Sequence, residues 1–523
     1  MPKTSRPSRK RTPQSLRKQL HSSLARLQYA ELVRFIPSED PNYIFKHALV
    51  QDIAYESLLR HDRAHYHRLI ARILETQFAN RLDEIAARLA QHYAEAGNDT
   101  KTAEFAVRAG DVAARAFASI EARANYVLAL QALARLPDSV ETRQQRIDTT
   151  IKYAEHVWAR EASGQVRSWL EEMEELARTM PDAEGKPSGD RLRLASIHHA
   201  LGGAYFAQGD LAKALPYFQL VLEEAPDSSD PSLIAGPATL IGGVMIFQGH
   251  FRQALPLTER AIAASRDVLH TWYGIGSRIY HAQARAALGQ FEAARGEMNE
   301  LLAQAQAAGY ATGITMCLTA QCAILALQGD DDQAIQVATA ALDAADASGD
   351  TLYKLLSFAS KSLSETRLGK VIEARQDIEH ALKMIEERGG RVFAGEWSAA
   401  LCAQAALNVG EYEQAATLAQ NVIAMEQQTG GIYASALARR VWAQSLAQLT
   451  PADTEAIDAQ FASSISQLSE CEALPELART YLAWGEVQQA RGNIVRAHEL
   501  YQKAAKLFAP LGLTRELEQA RQR

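Results

Sequence analysis

Two imidazoles four residues apart, His61 and His65, fall on one face of a helix at the spacing that holds zinc, and His67 follows closely. No glutamate stands between them in the His-Glu-x-x-His sense, and no later ligand recurs at regular spacing. The cluster reads as helix surface. Cys317 and Cys322, five apart, do not share a helix face cleanly; with Cys402 and Cys471 they form no Cys-x-x-Cys pair and read as small buried apolar residues. His198 and His199 are adjacent on a helix, where packing is the expected role. A phosphate-binding loop requires G-x-x-x-x-G-K-[ST], because backbone amides and a lysine must cradle the phosphates. Gly185-Lys186 is followed by Pro187 and Gly369-Lys370 by Val371, and neither has a glycine five residues upstream. No Ser/His/Asp or Cys/His constellation is gathered by the sequence. The chain reads as a non-enzyme with no cofactor and no metal.

The elements that position these residues are repeats. Leu201-Gly202-Gly203-Ala204-Tyr205-Phe206-Ala207-Gln208-Gly209 leads into a second segment carrying Ala214 and Phe218, and Pro226 marks the stop. Small residues let two helices approach while an aromatic fills the gap beneath them. This unit resembles a tetratricopeptide repeat over its full length. Its turn glycine recurs at Gly249, Gly289, Gly329 and Gly369, 40 residues apart, then at Gly410 and Gly492. Five residues after each glycine stands Ala214, Ala254, Ala294, Ala334, Ala374, Ala415 or Ala497. The gap before Gly492 holds one further unit, with Pro451 in the glycine's place and Ala456 expected as its small residue. Eight units in register result. The period exceeds the family's about 34 residues, which implies longer helices and leaves the superhelix pitch open.

The chain has 523 residues, 47% hydrophobic, 22% charged and only 7% aromatic, the balance of a globular protein. Abundant alanine with few alternating β-branched segments reads as all-α: a tetratricopeptide-like α-solenoid, elongated along one axis. No uninterrupted apolar run approaches a membrane span and no apolar signal core follows the basic start, so no membrane role is expected. Few cysteines place the chain in a reducing cytoplasm. Lys3, Arg6, Arg9, Lys10, Arg11, Arg17 and Lys18 make the start basic while the whole chain carries a net charge of −7. One short arm on an acidic body is a poor nucleic-acid footprint, and residues 1–20 read as a disordered leader.

Residues 42–74 contain Phe45-Lys46-His47-Ala48-Leu49, Gln51, Ala54-Tyr55, Ser57-Leu58-Leu59, then His67-Arg68-Leu69-Ile70-Ala71; His92-Tyr93-Ala94-Glu95-Ala96-Gly97 comes later. This order resembles the segment after the ATPase module in multidomain bacterial signalling proteins that join a class III adenylate/guanylate cyclase or a transcription-factor domain to a P-loop ATPase and tetratricopeptide repeats. The resemblance implies a winged-helix-like remnant with its linking helix over 21–75, degenerate helical repeats over 76–180, a linker at 181–190, repeats over 191–515 and a tail at 516–523. It further implies that this is the C-terminal half of such a protein, split or truncated, lacking the cyclase and ATPase domains.

Stacked helix pairs create a concave surface, so the expected function is a non-catalytic scaffold or sensor region for protein–protein interaction in bacterial signal transduction. Its partner is a protein or peptide in the groove, or, in the alternative, an ATPase or cyclase chain that this regulatory half needs; nucleic acid through the winged-helix remnant is the least favoured. If the first helix of each pair lines the groove, the contact positions are His199, Phe206, Phe247, Gln283, Arg367, Trp397, Gln404 and Asn408. The alternative is that the longer repeat turns Phe206, Phe247 and Trp397 into the helix interface as core.

Overall fold

The computed structural model describes residues 13–37, 42–116, 118–155, 164–181, 189–225, 231–266, 271–392 and 394–523. Two compact units divide between Ala109 and Gly110. The first carries α1 (Pro13–Tyr29), β1 (Val33–Ile36), β2 (Asn42–Phe45), α2 (Ala48–Glu56), α3 (Arg60–Gln77), α4 (Leu82–Glu95) and the start of α5 (Asp99–Arg115). Because α1 starts at Pro13, where proline's fixed φ suits a first helical position, the expected leader is corrected from that residue onward. Residues 1–12 of it lie outside the described residues. The strands pair antiparallel, Val33 opposite Phe45 and Phe35 opposite Tyr43.

Two motif histidines meet in this unit. His67 Nδ1 lies 2.9 Å from His92 Nδ1, and His67 Nε2 lies 3.0 Å from the Tyr55 hydroxyl. Burial pushes the His92 imidazole down, helped by His67 and Arg88. Tyr93 stacks on Phe105 at 5.6 Å and donates its hydroxyl proton to Glu75, which also accepts from Lys101 at 2.9 Å. These contacts hold α2, α3, α4 and α5 together. The opposite side is bare: α2 buries no residue, and α3 exposes Tyr66, Leu69, Ile70 and Ile73 while burying Ala71 and Leu74.

The second unit continues with α6 (Ser119–Leu133), α7 (Val140–Glu155) and α8 (Gly164–Arg178). Paired helices follow: α9 (Arg191–Ala207) with α10 (Leu211–Glu224), α11 (Pro231–Gln248) with α12 (Phe251–Ala264), α13 (Trp272–Ala287) with α14 (Phe291–Ala307), and α15 (Ala311–Gln328) with α16 (Asp331–Ser348). The array ends with α17 (Lys354–Arg367) and α18 (Val371–Glu387), α19 (Gly395–Asn408) and α20 (Tyr412–Thr429), α21 (Ile432–Leu449) and α22 (Thr454–Glu470), α23 (Leu474–Ala490) and α24 (Ile494–Leu511), and finally α25 (Thr514–Gln522). Among the described residues this makes eight pairs from α9 to α24, as the glycine register requires. The turn glycines adopt positive φ, 71° at Gly209 and 81° at Gly492, which L side chains rarely take. Residues 182–188 of the expected linker, and Pro226, lie outside the described residues; Asp190 caps α9 by accepting from the Arg193 amide at 3.2 Å.

In the first and last of these pairs a glycine admits a large ring. A Cβ at Gly202 would stand 2.7 Å from Phe218 Cδ1, and one at Gly485 2.7 Å from Tyr501 Cδ1. The same sixteen-residue relation joins Gly110 and Tyr126, where the distance would be 2.6 Å, so α5 and α6 form an earlier pair in the same pattern. The seventh pair corrects the sequence reading: Ile457, not Ala456, is the wholly buried residue four positions into its second helix. The turn at Pro451 lacks the left-handed glycine and is one residue longer, so α22 starts one position later. By length and composition α15 could cross a membrane, although threonines and Gln321 interrupt its apolar run. In the array it packs against α14, α16 and α17, with Cys317 and Cys322 fully buried. A second correction concerns the tail expected at 516–523: it is helical as α25, with Ala520 buried.

The superhelix winds until its coils touch. Gln248 Nε2 donates to the Thr429 carbonyl at 3.0 Å, Arg252 pairs with Glu472 at 2.6 Å, and the Phe247 ring meets Trp397 at 5.1 Å.

Candidate functional site

The first helices of successive pairs face inward, and five of them, α15, α17, α19, α21 and α23, converge with α25 on a cavity of about 290 Å³. Arg367, Trp397, Gln404 and Asn408 line it. These are four of the groove positions expected from the register. Gln404 Nε2 donates to Asn408 Oδ1 at 3.1 Å, and Asn408 Nδ2 donates to Thr366 Oγ1 at 2.9 Å. Trp397 is held between two rings, 5.1 Å from Phe247 on the neighbouring coil and 5.1 Å from Tyr433 on the next first helix.

The other four positions do not reach this cavity. Phe206 is wholly buried and packs edge-on against Phe247 at 6.0 Å and Tyr280 at 6.4 Å. Phe247 is buried with it, so these two residues follow the alternative of core: Phe206 packs between successive pairs, and Phe247 also meets Trp397 of the neighbouring coil at 5.1 Å. His199 packs against Gly236, so close that a Cβ there would stand 3.0 Å from its Nε2, and Gln283 is buried beside Tyr280 and Met316 in a smaller space. Neighbouring His198 is buried too, with Nδ1 2.7 Å from Glu224 and Nε2 3.1 Å from Glu174.

Charge organises the cavity wall, and most of it was missed by sequence reasoning. Glu476 on α23 accepts from Arg440 Nη1 at 2.5 Å and from Arg479 Nη1 at 2.6 Å, and Arg479 Nη2 donates to Glu516 on α25 at 2.7 Å. Burial pushes the Glu476 carboxyl up, but the two guanidiniums outweigh it and hold it at about 2. Glu516 is likewise held below the usual range, Arg479 overcoming burial. On the opposite side Arg367 Nη1 donates to the Ala326 carbonyl at 2.7 Å and to Asp331 at 3.2 Å, and Arg515 of α25 reaches Asp331 at 3.4 Å. Burial pushes Asp331 up despite Arg367, and pushes Arg367 itself down, with Arg479 adding repulsion. Gln404, Arg440 and Glu476 stand 36 residues apart in successive first helices and are joined by hydrogen bonds. That spacing was the available signal.

Such a wall can hold a polar group by charge and an apolar group by contact. Nothing in it brings a nucleophile, a base and an electrophilic stabiliser together, and among the described residues no group of three His, Cys, Asp or Glu is placed to hold a metal ion. Burial pushes Cys317, Cys322, Cys402 and Cys471 each up to about 12, the range of unreactive thiols.

First helices turned inward, second helices turned outward and glycine turns between them define a tetratricopeptide-like α-solenoid. Residues 195–228 match the tetratricopeptide repeat family. No curated protein matches the chain. Among solved structures, a Rap protein complexed with competence and sporulation factor is similar at a TM-score of 0.53 and 13% identity, covering 72% of this chain and 99% of its own. A Rap conjugation gene regulator of plasmid pLS20, in complex with the Phr* peptide, has a TM-score of 0.46, 12% identity and coverage of 70% and 96%. The anaphase-promoting-complex hetero-tetramer Cut9–Hcn1 has a TM-score of 0.44, 11% identity and coverage of 91% and 99%.

Proposed function

We propose that the chain is a non-catalytic, cytoplasmic scaffold or sensor region of bacterial signal transduction that takes a protein or peptide segment on its concave face. The convergence of five first helices on one cavity, with Arg367, Trp397, Gln404 and Asn408 among its walls, carries this reading. Aromatic and arginine anchors in a desolvated recess are the residues that supply most affinity in recognition. The Rap protein of similar fold was solved with its competence and sporulation factor, which accords with a ligand-receiving role. A photo-crosslinking residue at Asn408 should capture a partner that one at Lys383, on the outer face of α18, does not. The double replacement Arg367→Ala, Trp397→Ala should abolish that adduct with helicity retained. Equal capture at Lys383, or an adduct indifferent to the double replacement, would refute the concave assignment.

A specific observation favours a second contact, with a separate ATPase or cyclase chain. In the winged-helix-like segment α2 buries nothing, and Tyr66, Leu69, Ile70 and Ile73 make an exposed stripe on α3 at helical spacing. Ile70→Asp with Ile73→Asp should then release such a chain in co-purification while leaving the repeats folded; undiminished co-purification would reject it.

A further inference from the structure

Resting on the reading of the array as a ligand-receiving scaffold, we infer that the cavity beneath α25 is a site for a small carboxylic acid with an apolar body, its carboxylate seated on Arg367. The shared chemistry has two sources, a free acid or the last residues of a peptide chain.

Arg367 uses one nitrogen for both of its hydrogen bonds; among the described residues its Nε and Nη2 meet no partner. Of the other cavity arginines, Arg440 is committed to Glu476 and Gln404 and Arg479 to Glu476 and Glu516, while Arg515 is largely exposed and reaches Asp331 through Nη1. A guanidinium edge with two free parallel donors matches the two oxygens of a carboxylate. Arg367, Arg440, Arg479 and Arg515 line the cavity against Asp331, Glu476, Glu486 and Glu516, so its lining is balanced in charge. Burial disfavours the Arg367 cation, which meets the Asp331 carboxylate through Nη1 alone.

One further residue of the wall carries an unpaired group: Trp397 Nε1 is a buried donor without a hydrogen bond. A buried donor left unpaired costs about 1–3 kcal/mol, and a carboxylate oxygen is an acceptor that would relieve it. Leu356, Leu363, Leu401, Leu437 and Leu482 form the apolar part of the wall. The volume, about 290 Å³, lies at the small end of ligand pockets, about 300–1,000 Å³, and suits a compact acid better than a long segment.

The test is calorimetry on the full chain with hexanoate and phenylacetate, each against its primary amide, and with the tripeptide Gly-Gly-Leu against its carboxamide. The free acids should saturate, with the amides weaker by about tenfold or more, the loss expected for one charged hydrogen-bonded pair. Arg367→Gln should weaken the acids by a similar factor with helicity unchanged. Trp397→Phe, which keeps the ring but removes the donor, should weaken them severalfold and serves if the arginine variant does not fold. Saturation by hexanoate or phenylacetate alone assigns the free acid, and saturation by the tripeptide acid assigns the chain terminus. Amides binding as tightly as acids, acid binding unchanged in both variants, or no saturation by any acid would overturn the site. A crosslinked partner at Asn408 together with no acid binding would leave the scaffold reading standing and remove this one.

Discussion

Replacing glycine by alanine in a helix interior ordinarily stabilises by about 1 kcal/mol, through reduced backbone freedom in the unfolded chain. The structure separates two glycines for which that substitution has opposite signs. Gly296, on α14, has nothing within 4 Å of the position a Cβ would take, so Gly296→Ala should gain close to the full increment. At Gly202 the added carbon would stand 2.7 Å from Cδ1 and 2.9 Å from Cζ of Phe218, whose ring is wholly buried and has no room to withdraw. Overpacking of that kind costs about 1–3 kcal/mol, and after the propensity gain Gly202→Ala should lose up to about 2 kcal/mol. Urea denaturation followed by far-ultraviolet circular dichroism reads both. Adding Phe218→Leu to Gly202→Ala should recover part of the loss, and the coupling in that cycle isolates the contact. If Gly202→Ala is as stable as Gly296→Ala, helix approach is not what selects the glycine.

Two further outcomes follow from the packing and the charges. Ile457→Ala should cost about 2–5 kcal/mol as a core truncation, whereas Ala456→Ser should change the urea midpoint little; the reverse order would restore the register read from sequence. Glu476 is ordinarily ionised above about 4.5 and is held to about 2 in the fold, so its contribution is complete above the higher value and disappears as pH falls through the lower one. Glu476→Gln should remove roughly 3 kcal/mol at neutral pH and flatten the loss of stability between those two values. An unchanged acid profile in the variant would exclude the Arg440–Glu476–Arg479 cluster as its source.

The repeat register was legible because each turn needs a left-handed residue, and only glycine adopts that conformation without strain; hence Gly209 to Gly492 could be read directly. Where Pro451 replaces glycine the register slipped by one, since no residue in that turn announces its extra length. Arg367, Trp397, Gln404 and Asn408 were legible for the same reason, being projected from the turns onto first helices. For Phe206 and Phe247 groove and core both stayed open, because whether an inward residue meets solvent or other helices depends on superhelix pitch, set by contacts such as Phe247 with Trp397 that a period does not encode. Gly110 and Tyr126 repeat the Gly202 and Phe218 spacing and would have placed the α5–α6 pair from sequence. The meeting of His67 and His92 was hidden, as was α25 in the cavity wall, since neither lies in the repeat pattern.

Contacts between coils alter what kind of polymer this array is. In an open stack each repeat answers only to its neighbours, so end repeats fray and the middle survives shortening. Here Gln248 reaches Thr429 across 181 positions and Arg252 reaches Glu472 across 220, so the array resembles a closed clasp more than a chain of links. Joining such distant segments requires closing very long loops before the reward arrives. The sixth and seventh pairs are thereby tied to helices far upstream. Removing α20 to α25 should loosen α11 and α12, although the repeats between them stay intact.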